Sequence, residues 1–156
     1  MKTILLVNNN PSVFDGLVEF LQRCRYAVIA TRDGSSALAE IASEERIDLV
    51  ITDHHMNGMG ELAILKALRQ TRPDVPAIIL TERGTLDSYL KAINLGVTEY
   101  LENTVGSREL LRTVANVIGD SVEEKRGNTG AYACCESGIQ AVRTSYDRGY
   151  ADVIRS

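Results

Sequence analysis

Residues 48–59 read DLVITDHHMNGM, and the first half of that stretch decides the fold. Leu49 to Thr52 form an unbroken apolar or β-branched run that stops at Asp53. A strand with no polar alternation is covered on both faces, which is the situation of a central strand in a parallel sheet flanked by helices. Two further runs of this kind, Ile4 to Val7 and Ala77 to Thr81, lie on either side of it in the chain. Tyr26 to Ala30 and Thr98 to Leu101 are weaker runs that suit strands nearer the edges.

Segments of helical period separate these runs. Val13, Leu17, Phe20 and Leu21 follow Pro11 and Ser12, a start signal with proline in the first turn. Ala37, Leu38 and Ile41 mark a second helix, and Leu62, Leu65 and Leu68 a third. Leu86, Leu90 and Ile93 give the apolar stripe of a fourth, which ends at Gly96. Ser107 opens a fifth through Leu110 and Val114, with Val117, Ile118 and Val122 as its continuation. Five strand–helix units in alternation predict an α/β fold with a parallel sheet and right-handed crossovers.

A chain of 156 residues fits one such domain, on the order of 100–150 residues, plus an extension. The predicted division is a domain over 1–120 and a helix extension, linker and tail over 121–156. A 44% hydrophobic composition supports a buried core, and a formal net charge of -4 offers a polyanion nothing, so nucleic acid is not an expected partner. The apolar run in MKTILLVNNN is too short for a signal peptide or a membrane span, which predicts a cytoplasmic protein without membrane attachment. Cys24, Cys134 and Cys135 are odd in number and irregular in spacing, which argues against a disulfide framework or a zinc site. In the tail, Ile139, Val142, Tyr146 and Val153 form one apolar stripe, weakened as a helix by Gly138 and Gly149. The glycines of that segment predict less order there than in the domain.

In order and at the right separations, ILLVNNNPSV, DLVITDHHMNGM, PAIILTERG, NLGVTEYLEN and the helix beginning SRELL resemble the receiver domains of two-component response regulators, from Lys2 to Asp120. The resemblance implies a doubly wound, flavodoxin-like fold with a five-stranded parallel sheet of order 2-1-3-4-5, an order for which a member of this family is a standard example. It also implies a site beyond the carboxyl ends of the strands, where Asn8, Asn9, Asp53, Thr81 and Asn103 meet. Asp53 corresponds to the family's phosphoacceptor. Thr81 and Tyr100 correspond to its switch pair, a hydroxyl that senses the phosphoryl group and an aromatic ring that changes rotamer.

The family's acidic pair, which helps to hold magnesium, is replaced by the neutral Asn8 and Asn9; the carbonyl ligand would belong to His55. Mg²⁺ wants near-octahedral oxygen coordination and usually relies on one or two carboxylates plus phosphate oxygens, and here one carboxylate is left. Asn103, followed by Thr104, stands in place of the phosphate-binding lysine and its proline. An amide donates hydrogen bonds but does not neutralise a phosphoryl group of about two negative charges. A trans bond before Thr104 and a reshaped loop are expected, because a non-proline cis bond costs ~2.5–4 kcal/mol. Glu82, directly after Thr81, puts an acidic side chain where the family keeps a small residue, with Arg83 as the one nearby cation. The polar residues of the crevice suit a static network around an ionised Asp53.

Adjacent His54 and His55 point oppositely on an extended chain, so a shared metal site is disfavoured. No metal and no cofactor are expected, with Mg²⁺ entering only if Asp53 is a working phosphoacceptor. The expected function is a non-enzymatic receiver-like module for phosphorylation-independent protein–protein binding in phosphorelay signalling, through the fourth helix, fifth strand and fifth helix. The alternative is a response regulator phosphorylated on Asp53 by a histidine kinase. Its partner is expected to be a signalling protein, a histidine kinase or a downstream effector, and a homodimer is also allowed.

Overall fold

The computed structural model describes residues 1–54, 59, 62–82, 84–102 and 106–119, without the side chain of Ser12. His55, Met56, Arg83, Asn103, Thr104 and the whole of 120–156, with Cys134, Cys135 and the expected order of the tail, lie outside the described residues.

Ten elements alternate along the chain: β1 (Thr3–Val7), α1 (Pro11–Arg23), β2 (Ala27–Thr31), α2 (Gly34–Ala42), β3 (Leu49–Thr52), α3 (Ala63–Thr71), β4 (Ala77–Thr81), α4 (Leu86–Asn94), β5 (Glu99–Glu102) and α5 (Ser107–Ile118). The strands form one parallel sheet of order β2-β1-β3-β4-β5. The sheet is therefore the doubly wound, flavodoxin-like arrangement expected from the sequence. The continuous apolar runs are its three central strands, and every residue of β3 and β4 is buried.

The two faces of the sheet carry separate cores. Ile4, Leu6, Leu49, Ile51, Ile78 and Leu80 point to the side of α1 and α5. Leu5, Val7, Val50, Ala77 and Ile79 point to the side of α2, α3 and α4. This is the period-two alternation of a strand with helices on both faces, so the uninterrupted apolar sequence is divided between two cores. Burying an aliphatic side chain stabilises by roughly 1.5–3 kcal/mol, and the central strands supply many.

The structure corrects the sequence at several points. β2 and β5 each begin one residue later than expected, because Tyr26 and Thr98 precede the first paired residues, Ala27 and Glu99. Among the described residues helix α5 ends at Ile118, where Gly119 takes a left-handed φ of 86° and its amide donates to Ala115 O and Asn116 O; the expected continuation at Val122 lies outside the described residues. The fourth helix is where expected, and its apolar stripe is its outer face. Leu86, Leu90 and Ile93 are exposed, at 73%, 50% and 46%, and the helix buries Ser88 and Ala92 instead.

One long-range anchor was not legible in the sequence. The Arg72 guanidinium, at the end of α3, donates to the carbonyl oxygens of Ile41, Ser43 and Glu45. These include carbonyls at the end of α2, which no residue of that helix can satisfy, so a side chain from the next helix does so.

Candidate functional site: the crevice at the carboxyl ends of the strands

Because β1, β3 and β4 run in parallel, Asn8, Asp53 and Thr81 come out at the same end of the sheet. Asn8 is buried at the end of β1, its amide donating to Thr31 O at 3.2 Å. Asp53 follows β3 and is half-buried, and the Thr52 hydroxyl donates to its carbonyl oxygen at 3.3 Å. Thr81 is buried as the last residue of β4. Asn9 is half-buried beside Asn8. His55 and Asn103 are not among the described residues.

The β1–α1 loop uses its asparagines on itself. Asn8 Oδ1 accepts the Asn10 amide at 2.8 Å, an Asx turn that leads into α1. Asn10 Nδ2 in turn donates to Glu82 Oε1 at 2.6 Å, across 72 positions of sequence. This bond joins the loops after β1 and β4 and fixes the Glu82 carboxylate beside the β1–α1 loop. Glu82 thus has Asn10 as a partner, an asparagine the sequence reading did not single out. The donor set fits magnesium poorly: two neutral amides stand where carboxylates would be, and the oxygen of one of them already accepts a backbone hydrogen bond.

Tyr100 lies on β5, opposite Ile79 and two residues before the partner of Thr81, so the two side chains share a face of the sheet. Its hydroxyl meets Ser88 Oγ at 2.7 Å. Ser88 is no isolated partner. Its hydroxyl donates to Thr85 O at 3.0 Å and accepts the Thr85 amide at 3.0 Å, while its own amide donates to Thr85 Oγ1 at 3.1 Å. Thr85 and Ser88 form the capping box of α4, and the Tyr100 hydroxyl is wired into it.

The Tyr100 ring is enclosed as well. His54 and Tyr89 meet it edge-on, with centroids 6.3 Å and 5.6 Å away. A Cβ on Gly84 would stand 3.1 Å from Tyr100 Cε1 and 3.0 Å from Glu102 Oε1, which is why glycine suits that position of the β4–α4 loop. Buried His54 is thus part of the packing around Tyr100. Its carbonyl accepts the Leu62 amide at 3.2 Å, closing the β3–α3 loop. That closure holds Leu62 at a left-handed φ of 58°, uncommon outside glycine. Among the described residues, no three His, Cys, Asp or Glu side chains cluster as a metal site.

The family profile described as the response regulator receiver domain matches residues 4–115. The chain belongs to that family. Transcriptional regulatory protein CpxR of Escherichia coli (strain K12) is 33% identical over 118 residues, which are 76% of this chain and 50% of CpxR. A signal receiver domain of an HD domain-containing protein from Pseudomonas fluorescens Pf-5 superposes with a TM-score of 0.70 at 29% identity, covering 76% of this chain and 94% of that one. A CheY-like receiver domain protein from Methanospirillum hungatei JF-1 gives a TM-score of 0.72 at 23% identity, over 82% of this chain and 99% of that one, and so shares the fold. The chain spans about half the length of the curated relative CpxR. Receiver domains are signalling modules that meet histidine kinases and effectors in two-component systems. No helix among the described residues is long and apolar enough to cross a membrane.

Proposed function

We propose that this receiver domain works by protein–protein contact without phosphorylation, a pseudo-receiver in a phosphorelay whose docking surface is built from α4, β5 and α5. The observation that carries the reading is the Asn8–Asn10–Glu82 chain of hydrogen bonds, at 2.8 Å and 2.6 Å. It engages the oxygen of Asn8, which stands where the family keeps an acidic residue, and holds the negative charge of Glu82 beside the β1–α1 loop. A phosphodonor and the phosphoryl group it leaves are both anionic, and Glu82 repels them while Asn8 and Asn9 supply no compensating dication. The domain acts without a cofactor and without catalysis of its own. Its partner is a signalling protein, a histidine kinase or a downstream effector, met in the cytoplasm.

One observation favours the second reading, a phosphoacceptor served by a histidine kinase and Mg²⁺: Asp53 stands at the end of β3, with Thr81 and Tyr100 on neighbouring strands.

Intact-mass measurement after incubation with a small phosphodonor separates the two, with and without magnesium. The parent chain is expected to stay unmodified in both. The combination Asn8→Asp, Asn9→Asp, Asn103→Lys and Glu82→Ala is expected to gain one phosphoryl group at Asp53 when magnesium is present, and Asp53→Asn in that background to lose it. The single substitutions are expected to do little, since coupled sites are not additive. Ready magnesium-dependent modification of the parent would establish the phosphoacceptor reading instead.

A further inference from the structure

Apart from Met1, the exposed large apolar side chains among the described residues all belong to α4: Leu86, Tyr89, Leu90 and Ile93. They stand at i, i+3, i+4 and i+7, one complete face of a helix, and span about 10 Å, or about two turns. Ser88 and Ala92 hold the opposite side to the sheet, so the stripe is not a packing element of the domain. A contiguous apolar face of that kind marks a contact surface.

Its surroundings are acidic. Tyr89 meets the Tyr100 ring edge-on, which joins the stripe to β5. On that strand Glu99 and Glu102 are both exposed, and among the described residues neither meets a cation. Glu102, two residues after Tyr100, shares its side of the sheet. Its carboxylate lies against the β4–α4 loop, where a Cβ on Gly84 would stand 3.0 Å from it, two residues before Leu86. On α4 itself the Lys91 ammonium is paired with Asp87 at 3.1 Å. The described arginines of this edge, Arg108 and Arg112, belong to α5, across β5 and on the other face of the sheet.

We propose that this face takes an amphipathic helix of a partner protein, apolar along one side and basic along its flank, with the apolar side on Leu86, Leu90 and Ile93 and the flank against Glu102. The inference deepens the protein-contact reading above and rests on its assignment of α4 and β5 to the docking surface. Ridges at three- and four-residue spacing seat in the grooves of another helix, and opposite charge at the rim of an apolar contact selects the partner and speeds the encounter. The same carboxylates disfavour other occupants. An anionic membrane or a nucleic acid is repelled, and a second copy presenting this same face brings the same excess of carboxylates to the contact. A strand added at β5 meets Glu99 and Glu102 on the edge it would pair with, and edge charges oppose such pairing. In the free chain the face stays open, so its leucines matter to binding and hardly to folding.

The test is a selection on the full, unphosphorylated chain with displayed helical peptides that share a fixed leucine stripe and have randomised flanks. Lys and Arg are expected to outnumber Asp and Glu at the flanks of the selected peptides. A synthetic copy of the most enriched peptide is expected to shift the amide NMR signals of α4 and β5. Its affinity is expected to fall about tenfold when Leu86→Ala and Leu90→Ala are combined, and about threefold with Glu102→Gln, whose effect shrinks as salt rises. All three positions are exposed, and an otherwise unchanged amide spectrum shows that the variants fold. Acidic flanks in the selected peptides, or affinity indifferent to Glu102→Gln, would overturn the proposal while leaving α4 as the docking surface. Peptides that shift signals elsewhere in the domain, or no enrichment at all, would overturn it together with that assignment. Self-association of the chain, or its binding to phosphatidylserine vesicles, lost in each case with the two leucines, would give the face to another occupant and overturn it too. Modification of Asp53 in the mass measurement would sink the phosphorylation-independent reading and leave these affinities as they are, so the two fail separately.

Discussion

Helices α4 and α5 flank the same edge strand and both have an apolar stripe, yet they use it in opposite ways. Helix α5 turns Leu110, Leu111, Val114 and Ala115 inward, all 8% exposed or less. Helix α4 turns Leu86, Leu90 and Ile93 outward and meets the sheet through Ser88 and Ala92. One helix is held by apolar burial. The other is held by a small residue, a capping box and one hydroxyl pair with Tyr100. The difference teaches that period locates a helix, whereas which face is covered depends on what the neighbouring strands present. Beside α4 they present the Tyr100 ring and its hydroxyl, which a serine satisfies and a leucine does not.

The sharpest way to break that comparison is to truncate one leucine on each helix and follow chemical unfolding. Leu110→Ala is expected to cost ~2–5 kcal/mol, the range for a buried aliphatic side chain that leaves a cavity. Leu90→Ala is expected to stay within ~0.5 kcal/mol, as exposed substitutions do. Equal costs would mean that the outer face of α4 is as firmly covered as the inner face of α5.

A smaller effect is expected from the polar hold on α4. Ser88→Ala removes the partner of a half-buried Tyr100 hydroxyl together with bonds of the capping box, and is expected to lower stability by ~1–2 kcal/mol. Tyr100→Phe leaves Ser88 with its Thr85 partners and is expected to cost less, ~1 kcal/mol or below. Amide exchange in the first turn of α4 should quicken in both, while α5 is unchanged. Quickening in α5 would show that the two helices are not independently held.

The smallest effect concerns acid, and it spares both helices. Burial pushes the Asp48 carboxyl up, but the Thr3 amide, which donates to it at 2.8 Å, and the Arg46 guanidinium outweigh that and hold it below the usual carboxylate range. A carboxyl lowered by folding stabilises the native state above its unfolded pKa of about 3.8, and that contribution is lost as pH falls through the lower folded value. Asp48→Asn is therefore expected to lower the thermal midpoint slightly at pH 7 and to flatten its decline below about pH 4. An unchanged acid slope would remove Asp48 from the account. Because Asp48 joins β3 to β1, the Leu110–Leu90 contrast should persist in that variant.

Sequence determined the sheet and most of the crevice, because both follow from local patterns. A run such as LVIT has nowhere to go but the middle of a parallel sheet, and a residue that follows such a strand, as Asp53 does, emerges at its carboxyl end. The order of matching segments then placed Asn8, Thr81 and Tyr100. Only the tertiary structure decided how these residues are partnered. Asn10 meets Glu82 across 72 positions, Arg72 caps carbonyls about thirty residues away, and Tyr100 finds a serine on the helix before it. Hydrogen bonds of that reach have no period and leave no mark in the chain, and one of them ties α4 to β5. The physical reason is common to all: burial is a property of stretches and is written in composition and spacing, whereas the pairing of polar groups is a property of distances that exist only after the chain has folded.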